Sequence, residues 1–437
     1  MNKTVEKGKT LLVDGPASVA LASGKAEVFG TAVGSTSRIV IREGKRLPFT
    51  VEEKAEFSIS LGANATAEET EGNTIPQSWV KAFEELLNTQ TKPATALVLG
   101  AVDSGKSSFC TYLVNRLLRE KRKVAVLDGD LGQSDIGPPC TVAYTIVTKP
   151  TTDLFNLNAK GAFFVGVTSP SNVINKVVQG LATLKEEVLT HNPDFIVVNT
   201  DGWIDEEDAV YYKIKLVETL SPDIIFCIQQ KDELTTIMNA LERFKKTIVE
   251  YPQTIGQRNT QKRKNLRELG YVKYLKNSKV QSLPLSWLKV EESELFGLNG
   301  GRDNLQRTGK LYQLLGMKPL HLTELKDKIS VIIGKSRWIG GDNIKKVEEF
   351  TKKKVVIIRK GEEQGILAAV YNAKRKFMGI GVLQEIDYLR KTLKISTPVT
   401  DEIGVVVMGK VKLDRNQKEI PAFPEESEGF SSLRKLF

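Results

Sequence analysis

A glycine-rich segment between a buried strand and a helix is the feature that most constrains this chain. The apolar run ATALVL leads into GAVDSGKS, which begins at Gly100 and fits the pattern G-x-x-x-x-G-K-S. A helical pattern follows at once, with Phe109, Leu113 and Leu117 on one side. A strand, a glycine loop and a helix in this order form the context that a phosphate-binding P-loop requires. We therefore predict a triphosphate site here, against the alternative of an accidental glycine turn.

The predicted triphosphate site consists of nine consecutive residues. Their backbone N–H groups and the N-terminus of the following helix would face the anion. Lys106 would reach the β- and γ-phosphates, and the Ser107 hydroxyl would be a ligand for Mg²⁺. The predicted nucleotide-binding residues are Gly100, Ala101, Val102, Asp103, Ser104, Gly105, Lys106, Ser107 and Ser108. Because the loop contacts phosphates and not the base, ATP and other nucleoside triphosphates remain open.

Apolar runs alternate with helix-length segments around this motif. The runs are ATALVLG, KVAVLDGD, DFIVVNT and DIIFCIQ, and buried runs of this kind predict a parallel sheet covered by helices on both faces. Shorter alternating runs on either side predict strands. We therefore predict an α/β chain in which a central P-loop NTPase domain with a parallel sheet, residues 76–310, is flanked by a small N-terminal β-domain, 1–75, and a C-terminal β-rich domain, 311–437.

Composition excludes several classes of protein. A length of 437 residues favours two or three domains. No apolar stretch is long enough for a membrane span or a signal peptide, so we expect a cytosolic protein without a membrane partner. Three scattered cysteines and two histidines argue against a disulfide framework, a zinc site or a histidine-dependent nucleophile. The net charge of +10 favours an anionic partner such as nucleic acid.

Two acidic residues follow the strand KVAVL. Asp128 and Asp130 lie in LDGDLGQSDIGPP, at the carboxyl end of a strand that we expect to neighbour the P-loop strand. That edge of an open α/β sheet lines the ligand crevice. One acid would support Mg²⁺ and the other would position or deprotonate an attacking hydroxyl, and the spacing leaves the assignment open. The alternative is a pair of solvated turn residues.

Two further features lie downstream. The strand DFIVVNT ends before Asp201 and Trp203, and a tryptophan at this edge would either stack on a nucleobase or fill core space. Residues 256–279 hold the densest positive run of the chain, with Arg258 and Arg263 among eight lysines and arginines. This run is either a solvated helix face or a lid whose arginines neutralise charge on a transferring phosphoryl group.

In this order the motifs resemble the polynucleotide 5′-hydroxyl kinase family, which includes the kinase subunit of the eukaryotic pre-mRNA cleavage complex, and especially its archaeal members. The resemblance covers most of the chain and is carried by GAVDSGKS, LDGDLGQSDIGPP, VGVTSPSN, VVNTDGW and the arginine-spaced basic run. The GDLGQ segment followed by Pro-Pro is more distinctive than the P-loop, since ordinary P-loop ATPases lack it. The resemblance implies ATP-dependent phosphorylation of the 5′-hydroxyl end of RNA, with DNA left open, and RNA-processing proteins as partners.

The resemblance also implies roles for single residues. Asp130 would activate the 5′-hydroxyl with Gln133 in the same motif, and Asp128 would be the supporting acid at the metal. Thr168 would lie in a clasp, Trp203 would stack on the terminal nucleotide, and Arg258 and Arg263 would be the lid arginines. Lys106, Asp130, Arg258 and Arg263 are thus the predicted catalytic residues. A nucleotide-binding scaffold without activity and an ATPase or GTPase switch are the alternatives.

Overall fold

The computed structural model describes residues 1–35, 37–252, 260–292 and 305–421. Two compact units are present, Met1–Gly270 and Tyr271–Phe437. The division into three domains at 75/76 and 310/311 stays a prediction. Among the described residues, no helix is both long and apolar enough to cross a membrane.

The first unit begins with a sheet of seven antiparallel strands. Its order is β4-β3-β6-β2-β7, with β1 paired to β6 and β5 paired to β3. The strands are β1 (Asn2–Val5), β2 (Lys9–Asp14), β3 (Ala17–Val28), β4 (Thr31–Ala32), β5 (Arg38–Ile41), β6 (Arg46–Leu61) and β7 (Ala67–Glu71). Alternate residues of β3 and β6 are buried, which is the pattern of a sheet with one face on a core. The strands predicted for the N-terminal region are confirmed, and a separate domain there stays a prediction.

The same unit contains a second sheet of seven strands, which carries the P-loop. Its order is β11-β10-β9-β12-β8-β13-β14. The strands are β8 (Ala94–Gly100), β9 (Val124–Asp128), β10 (Thr141–Val147), β11 (Gly161–Phe164), β12 (Phe195–Asn199), β13 (Ile224–Ile228) and β14 (Lys246–Val249). The helices of this region are α1 (Gln77–Leu87), α2 (Lys106–Arg119), a 3₁₀ turn (Leu154–Asn156), α3 (Ile174–Leu189), α4 (Glu207–Leu220), α5 (Thr235–Ala240) and α6 (Thr260–Tyr274).

The prediction of a parallel sheet is confirmed for the four predicted runs, which form β8, β9, β12 and β13, and two strands outside those runs make the sheet mixed. Strands β9, β12, β8, β13 and β14 are parallel, whereas β10 runs antiparallel to β9 and β11 antiparallel to β10. A parallel neighbour requires a crossover, usually a helix, between the two strands. The link from β9 to β10 contains no helix, so the chain returns in the opposite direction.

Helices cover both faces of this sheet, as predicted. On one face, α3 and α4 bury an apolar cluster against alternate residues of the central strands, including Leu97 and Leu127. On the other face, Phe109 of α2 packs edge-on against Phe226 of β13 at 5.3 Å between ring centroids, and against Trp79 of α1 at 5.1 Å. The burial of complete strands such as β8, in which all seven residues are buried, is typical of a sheet sandwiched in this way.

The second unit confirms the prediction of a β-rich C-terminal region. A seven-stranded sheet has the order β15-β22-β21-β20-β23-β16, with β24 on β23, and a three-stranded sheet has the order β17-β18-β19. Two helices, α7 (Leu305–Leu315) and α8 (Gly341–Thr351), accompany the smaller sheet. The strands are β15 (Lys279–Pro284), β16 (Lys289–Glu291), β17 (His321–Glu324), β18 (Lys328–Ile333), β19 (Lys354–Arg359), β20 (Ile366–Tyr371), β21 (Phe377–Asp387), β22 (Thr392–Thr397), β23 (Val405–Leu413) and β24 (Glu419–Ile420).

Candidate active site

The P-loop connects β8, at the centre of its sheet, to α2. Gly105 precedes the helix with φ at 95°, a left-handed conformation that glycine adopts without strain. Lys106 is 7% exposed, and its Nζ donates hydrogen bonds to the carbonyls of Gly100 at 2.9 Å and Ala101 at 2.7 Å. Burial lowers the pKa of Lys106 to about 8, although attraction by Asp130 opposes this. The lysine is therefore held inside the loop, where a triphosphate would restore its full charge.

Asp130 lies in a tight turn that its own carboxylate organises. Its Oδ1 accepts hydrogen bonds from the backbone N–H groups of Gly132 and Gln133, both at 2.9 Å. Burial raises the pKa of Asp130 to about 6, and the carboxylate of Asp201 adds to this rise. A carboxylate with a raised pKa accepts a proton more readily than an exposed one, as a general base requires. The geometry therefore suits Asp130 to the deprotonation of a hydroxyl.

Asp128 has a different environment, although it is only two residues away. Its Oδ1 accepts hydrogen bonds from Asn199 Nδ2 at 3.0 Å and from the Asp130 N–H at 3.3 Å. Its Oδ2 accepts from the N–H groups of Asp135 at 2.8 Å and Ile136 at 3.1 Å. The residue is 0% exposed, and burial raises its pKa to about 7. These contacts hold the segment from Asp130 to Ile136 in place, so Asp128 organises this loop.

A buried ion pair underlies the end of β12. Lys213 of α4 is 0% exposed, and its Nζ lies 2.9 Å from Oδ1 and 3.0 Å from the carbonyl oxygen of Asp201. The same Oδ1 accepts a hydrogen bond from the Trp203 N–H at 3.0 Å. The Trp203 ring stacks on Tyr212 at 6.0 Å between centroids. Lys213 therefore holds in place both the Asp201 side chain and the backbone that presents Trp203.

Gly202 lies directly against the P-loop. A Cβ at this position would come within 2.6 Å of the backbone nitrogen and Cα of Val102. Because that approach is too close for any side chain, only glycine lets the end of β12 meet the phosphate-binding loop in this way. The NTDGW segment is therefore tied to the nucleotide site by backbone packing.

The predicted lid arginines are placed in part. Arg263 of α6 approaches the P-loop, with Nη2 3.3 Å from Asp103 Oδ2. Arg267, one turn further along the helix, donates to the Gly132 carbonyl at 3.5 Å. Arg258 lies outside the described residues. The basic face of α6 therefore contacts both the P-loop and the turn that contains Asp130.

These elements surround one cleft of about 820 Å³ within the first unit. Predicted site residues that line it include Lys106, Ser107, Asp130, Gln133, Thr168, Trp203 and Arg263. Asp128 does not, because it lies beneath the turn. The N-terminal β-sheet and its loops supply a further wall made of Asp14, Gly15, Pro16, Phe29, Glu43, Gly44, Lys45, Arg46, Pro48, Ala63, Asn64, Thr74 and Ile75.

Sequence reasoning missed three parts of this cleft: the N-terminal wall, Arg267 as a separate contact, and the partner of Asp201. The position of Lys213 carried a signal, because it falls among Ala209, Tyr212, Leu216 and Val217 on the apolar face of α4. A lysine on such a face requires a buried acidic partner. The N-terminal wall carried no such signal, because its residues are drawn from separate strands and loops.

Known proteins resemble this chain in sequence. Residues 100–277 match the family model described as the mRNA cleavage and polyadenylation factor CLP1 P-loop. The chain is 26% identical over 361 residues to a polyribonucleotide 5′-hydroxyl-kinase of Pyrococcus abyssi, covering 81% of this chain and 97% of the relative. It is 25% identical to the corresponding protein of Methanocaldococcus jannaschii over 358 residues, covering 81% and 96%.

The fold has a counterpart among solved structures. Clp1p in its complex with a Pcf11p segment superposes with a TM-score of 0.65 at 13% identity, over 94% of this chain and 97% of that one. The family model covers the P-loop, the Asp130 turn, the NTDGW segment and α6, which line the cleft together with the N-terminal wall. The family model and the archaeal relatives support a member of the polynucleotide 5′-hydroxyl kinase family, as the motifs of the chain indicate.

Proposed function

We propose that this chain transfers the γ-phosphoryl group of ATP to the 5′-hydroxyl end of a polyribonucleotide. The observation that carries the proposal is the presence of Asp130 and Lys106 in one cleft, where the carboxylate is fixed by two backbone N–H groups. A nucleotide-binding scaffold needs the lysine but not a fixed hydroxyl activator. The archaeal relatives, which match over about four fifths of this chain, are named for the same activity.

The proposal gives each residue of the cleft one step in the transfer. The 5′-oxygen attacks the γ-phosphorus in line with the bond to the β,γ-bridging oxygen, which breaks and leaves ADP. Asp130 takes the proton of the attacking hydroxyl. Lys106 and Arg263 balance the charge on the phosphoryl oxygens, and the N-terminus of α2 and the loop N–H groups hold the phosphates.

The residues present fit a magnesium ion held mainly by the nucleotide. Mg²⁺ in phosphoryl-transfer sites is bound through one or two protein oxygens together with substrate phosphates. Ser107 lines the cleft at the start of α2 and would supply one such oxygen. Asp128, whose oxygens already accept four hydrogen bonds, would act from behind the metal ligands. The ion, when bound, neutralises charge on the β- and γ-oxygens.

The acceptor end of the substrate is assigned to Trp203, Thr168 and Gln133. Trp203 has one face on Tyr212 and lines the cleft, so a terminal nucleotide would stack against it. Thr168 and Gln133 flank the turn of Asp130, and the Thr168 carbonyl lies 3.5 Å from where a Cβ of Gly132 would be. We include RNA-processing proteins as partners and a cytosolic location in the same proposal.

A scaffold without activity and an ATPase or GTPase switch are less favoured. A scaffold needs neither a carboxylate with a raised pKa nor the two arginines of α6, Arg263 and Arg267, in the same cleft, and the archaeal relatives are named as kinases. A GTPase would also read guanine through Asn-Lys-x-Asp, whereas the segment after β13 reads Gln-Gln-Lys-Asp from Gln229 to Asp232.

One labelling experiment tests the proposal. The protein is incubated with γ-labelled ATP and Mg²⁺, with and without a 5′-hydroxyl oligoribonucleotide, and label is followed into the oligonucleotide and into free phosphate. We expect label on the RNA for the wild type, and loss of that label in Lys106→Ala and Asp130→Asn. The exposed residues Lys81 and Asp401 provide matched controls, Lys81→Ala and Asp401→Asn, which should keep the activity. Label only in free phosphate would identify an ATPase, and no turnover at all would support a scaffold.

A further inference from the structure

The net positive charge of the chain comes entirely from its second unit. Residues 271–437 contain 31 lysines and arginines against 20 aspartates and glutamates, a net charge of +11. Residues 1–270 contain 32 against 33, a net charge of −1. The unit that holds the catalytic cleft is therefore close to neutral, and the unit without it carries all of the excess. A polyanion would be attracted to the second unit.

Two tryptophans of that unit are exposed. Trp338 is 74% exposed in the loop after β18, and Trp287 is 82% exposed in the turn between β15 and β16. The other two tryptophans of the chain, Trp79 and Trp203, pack against aromatic neighbours in the first unit. Tryptophan has a large apolar side chain that is usually removed from water. Two exposed tryptophans in one unit therefore mark a candidate binding surface.

The two exposed tryptophans belong to one series of loops that contact each other in turn. The Lys335 side chain lies over Gly361 after β19, close enough that a Cβ there would meet its Cε at 2.9 Å. The adjacent Lys360 pairs with Glu385 of β21 at 3.2 Å. At the far end of the series, the Leu285 N–H donates to the Lys391 carbonyl at 2.8 Å. We name this series the tryptophan edge, made of residues 285–287, 334–338, 359–361 and 385–391.

The tryptophan edge alternates flat apolar groups with cations. Lys335 and Arg337 precede Trp338 in the same loop and are exposed, and neither forms an ion pair with any residue that the structure describes. At the other end, Leu389 is 82% exposed beside the exposed Arg390 and Lys391. Aromatic faces interleaved with cations are the surface that binds single-stranded nucleic acid, because bases stack on the rings and phosphates pair with the cations.

We propose that the tryptophan edge binds the single-stranded body of an RNA. Trp338 and Trp287 stack on bases, while Lys335, Arg337 and Arg390 neutralise the backbone. The identification of this strand with the kinase substrate rests on the proposed function; the binding of RNA to the edge does not. Stacking of this kind tolerates any sequence, so the edge adds affinity and not base specificity.

The test compares RNA binding by surface variants of the full chain. Trp338→Ala, Trp287→Ala and their double variant are titrated with a 3′-labelled single-stranded RNA of about 20 nucleotides, and the dissociation constant is measured by fluorescence anisotropy. Phe350→Ala is the matched control, an aromatic residue 46% exposed at the opposite end of α8. We expect each tryptophan variant to bind about tenfold more weakly and Phe350→Ala to bind as the wild type does. Because all three side chains are exposed, the melting temperature should not change.

A second measurement reports the cations. A plot of log affinity against log salt concentration has a negative slope. In the Lys335→Gln and Arg337→Gln variants this slope should each time be less steep by about 0.7. A double tryptophan variant that binds the long RNA within about twofold of the wild type would overturn the proposal and leave the edge to a protein partner. Equal loss of affinity in Phe350→Ala would overturn it too, since the effect would then not be local.

Phosphorylation of a tetranucleotide separates this inference from the proposed function. The tetranucleotide is too short to reach far beyond the cleft, so the double tryptophan variant should label it at the wild-type rate. A wild-type protein that fails to label it contradicts the proposed function, and the long-RNA titration still decides the inference. A double variant that binds the long RNA normally but fails to label the tetranucleotide contradicts the inference.

Discussion

Replacing Arg42 by methionine should destabilise the first unit more than any surface change. Arg42 follows β5, and its Nε lies 2.7 Å from Asp153 Oδ2 while its Nη2 donates to Asp153 Oδ1 at 3.2 Å and to Asp135. Lys45 adds a second cation at 3.5 Å from Asp153. The side chains of Arg42, Asp135 and Asp153 are 14%, 6% and 9% exposed, so without Arg42 the two buried carboxylates would share the single charge of Lys45.

The expected loss is about 3–5 kcal/mol in the free energy of unfolding, the range found when one partner of a buried ion pair is removed. Its pH dependence has a defined sign. The neighbouring cations hold the pKa of Asp153 well below its usual range, against the opposing effect of burial. The carboxylate therefore contributes stability above its unfolded pKa of about 3.9, and this contribution is lost as the pH falls through the lower folded value. The difference between wild type and variant should thus shrink as the pH is lowered from about 5 to about 2.

Guanidinium unfolding followed by circular dichroism at these two pH values measures the effect. Arg119→Met is the matched control, because Arg119 pairs with Glu27 at 3.4 Å while 64% exposed, and such a pair contributes about 0–1 kcal/mol. An Arg42→Met variant as stable as the Arg119→Met control would refute the reasoning. So would a loss that is the same at both pH values.

Three further predictions concern the cleft. Lys213→Met should lower the free energy of unfolding at neutral pH by about 3–5 kcal/mol, because it leaves the buried Asp201 carboxylate without its cation. Denaturant unfolding measures this loss. A double variant with Asp201→Asn should recover part of the lost free energy, and no recovery would contradict the pairing. Gly202→Ala should weaken ATP binding at least about tenfold in calorimetry, since its Cβ would displace Val102, and unchanged affinity would show that the P-loop tolerates the shift. Trp203→Ala should raise the KM for RNA about tenfold with little change in the KM for ATP; a fall in kcat alone would argue against stacking.

The sequence predicts the parts of the site that are encoded locally. The P-loop, the turn of Asp130 and the tryptophan after β12 each lie within a short segment, so strand, loop and helix patterns position them without knowledge of the whole fold. The antiparallel direction of β10 and β11 is not encoded locally. An apolar run such as TVAYTIV predicts a strand but does not indicate whether it pairs parallel or antiparallel to its neighbour.

Buried pairs are the part that sequence reasoning could not supply. Arg42 and Asp153 are 111 residues apart, and nothing in either segment names its partner. Asp201 and Lys213 are only 12 apart, and the apolar face of α4 marks the lysine as buried. The roles of single site residues remain predictions, among them those of Gln133, Thr168 and Arg258.

A crystal structure with a non-hydrolysable ATP analogue, Mg²⁺ and a short 5′-hydroxyl RNA tests the central claim most directly. The account predicts that the 5′-oxygen lies within about 3 Å of the Asp130 carboxylate, opposite the leaving oxygen of the γ-phosphate, with the terminal base against Trp203. A terminal hydroxyl bound elsewhere, with a water molecule between Asp130 and the γ-phosphate, would contradict it and identify the chain as a hydrolase.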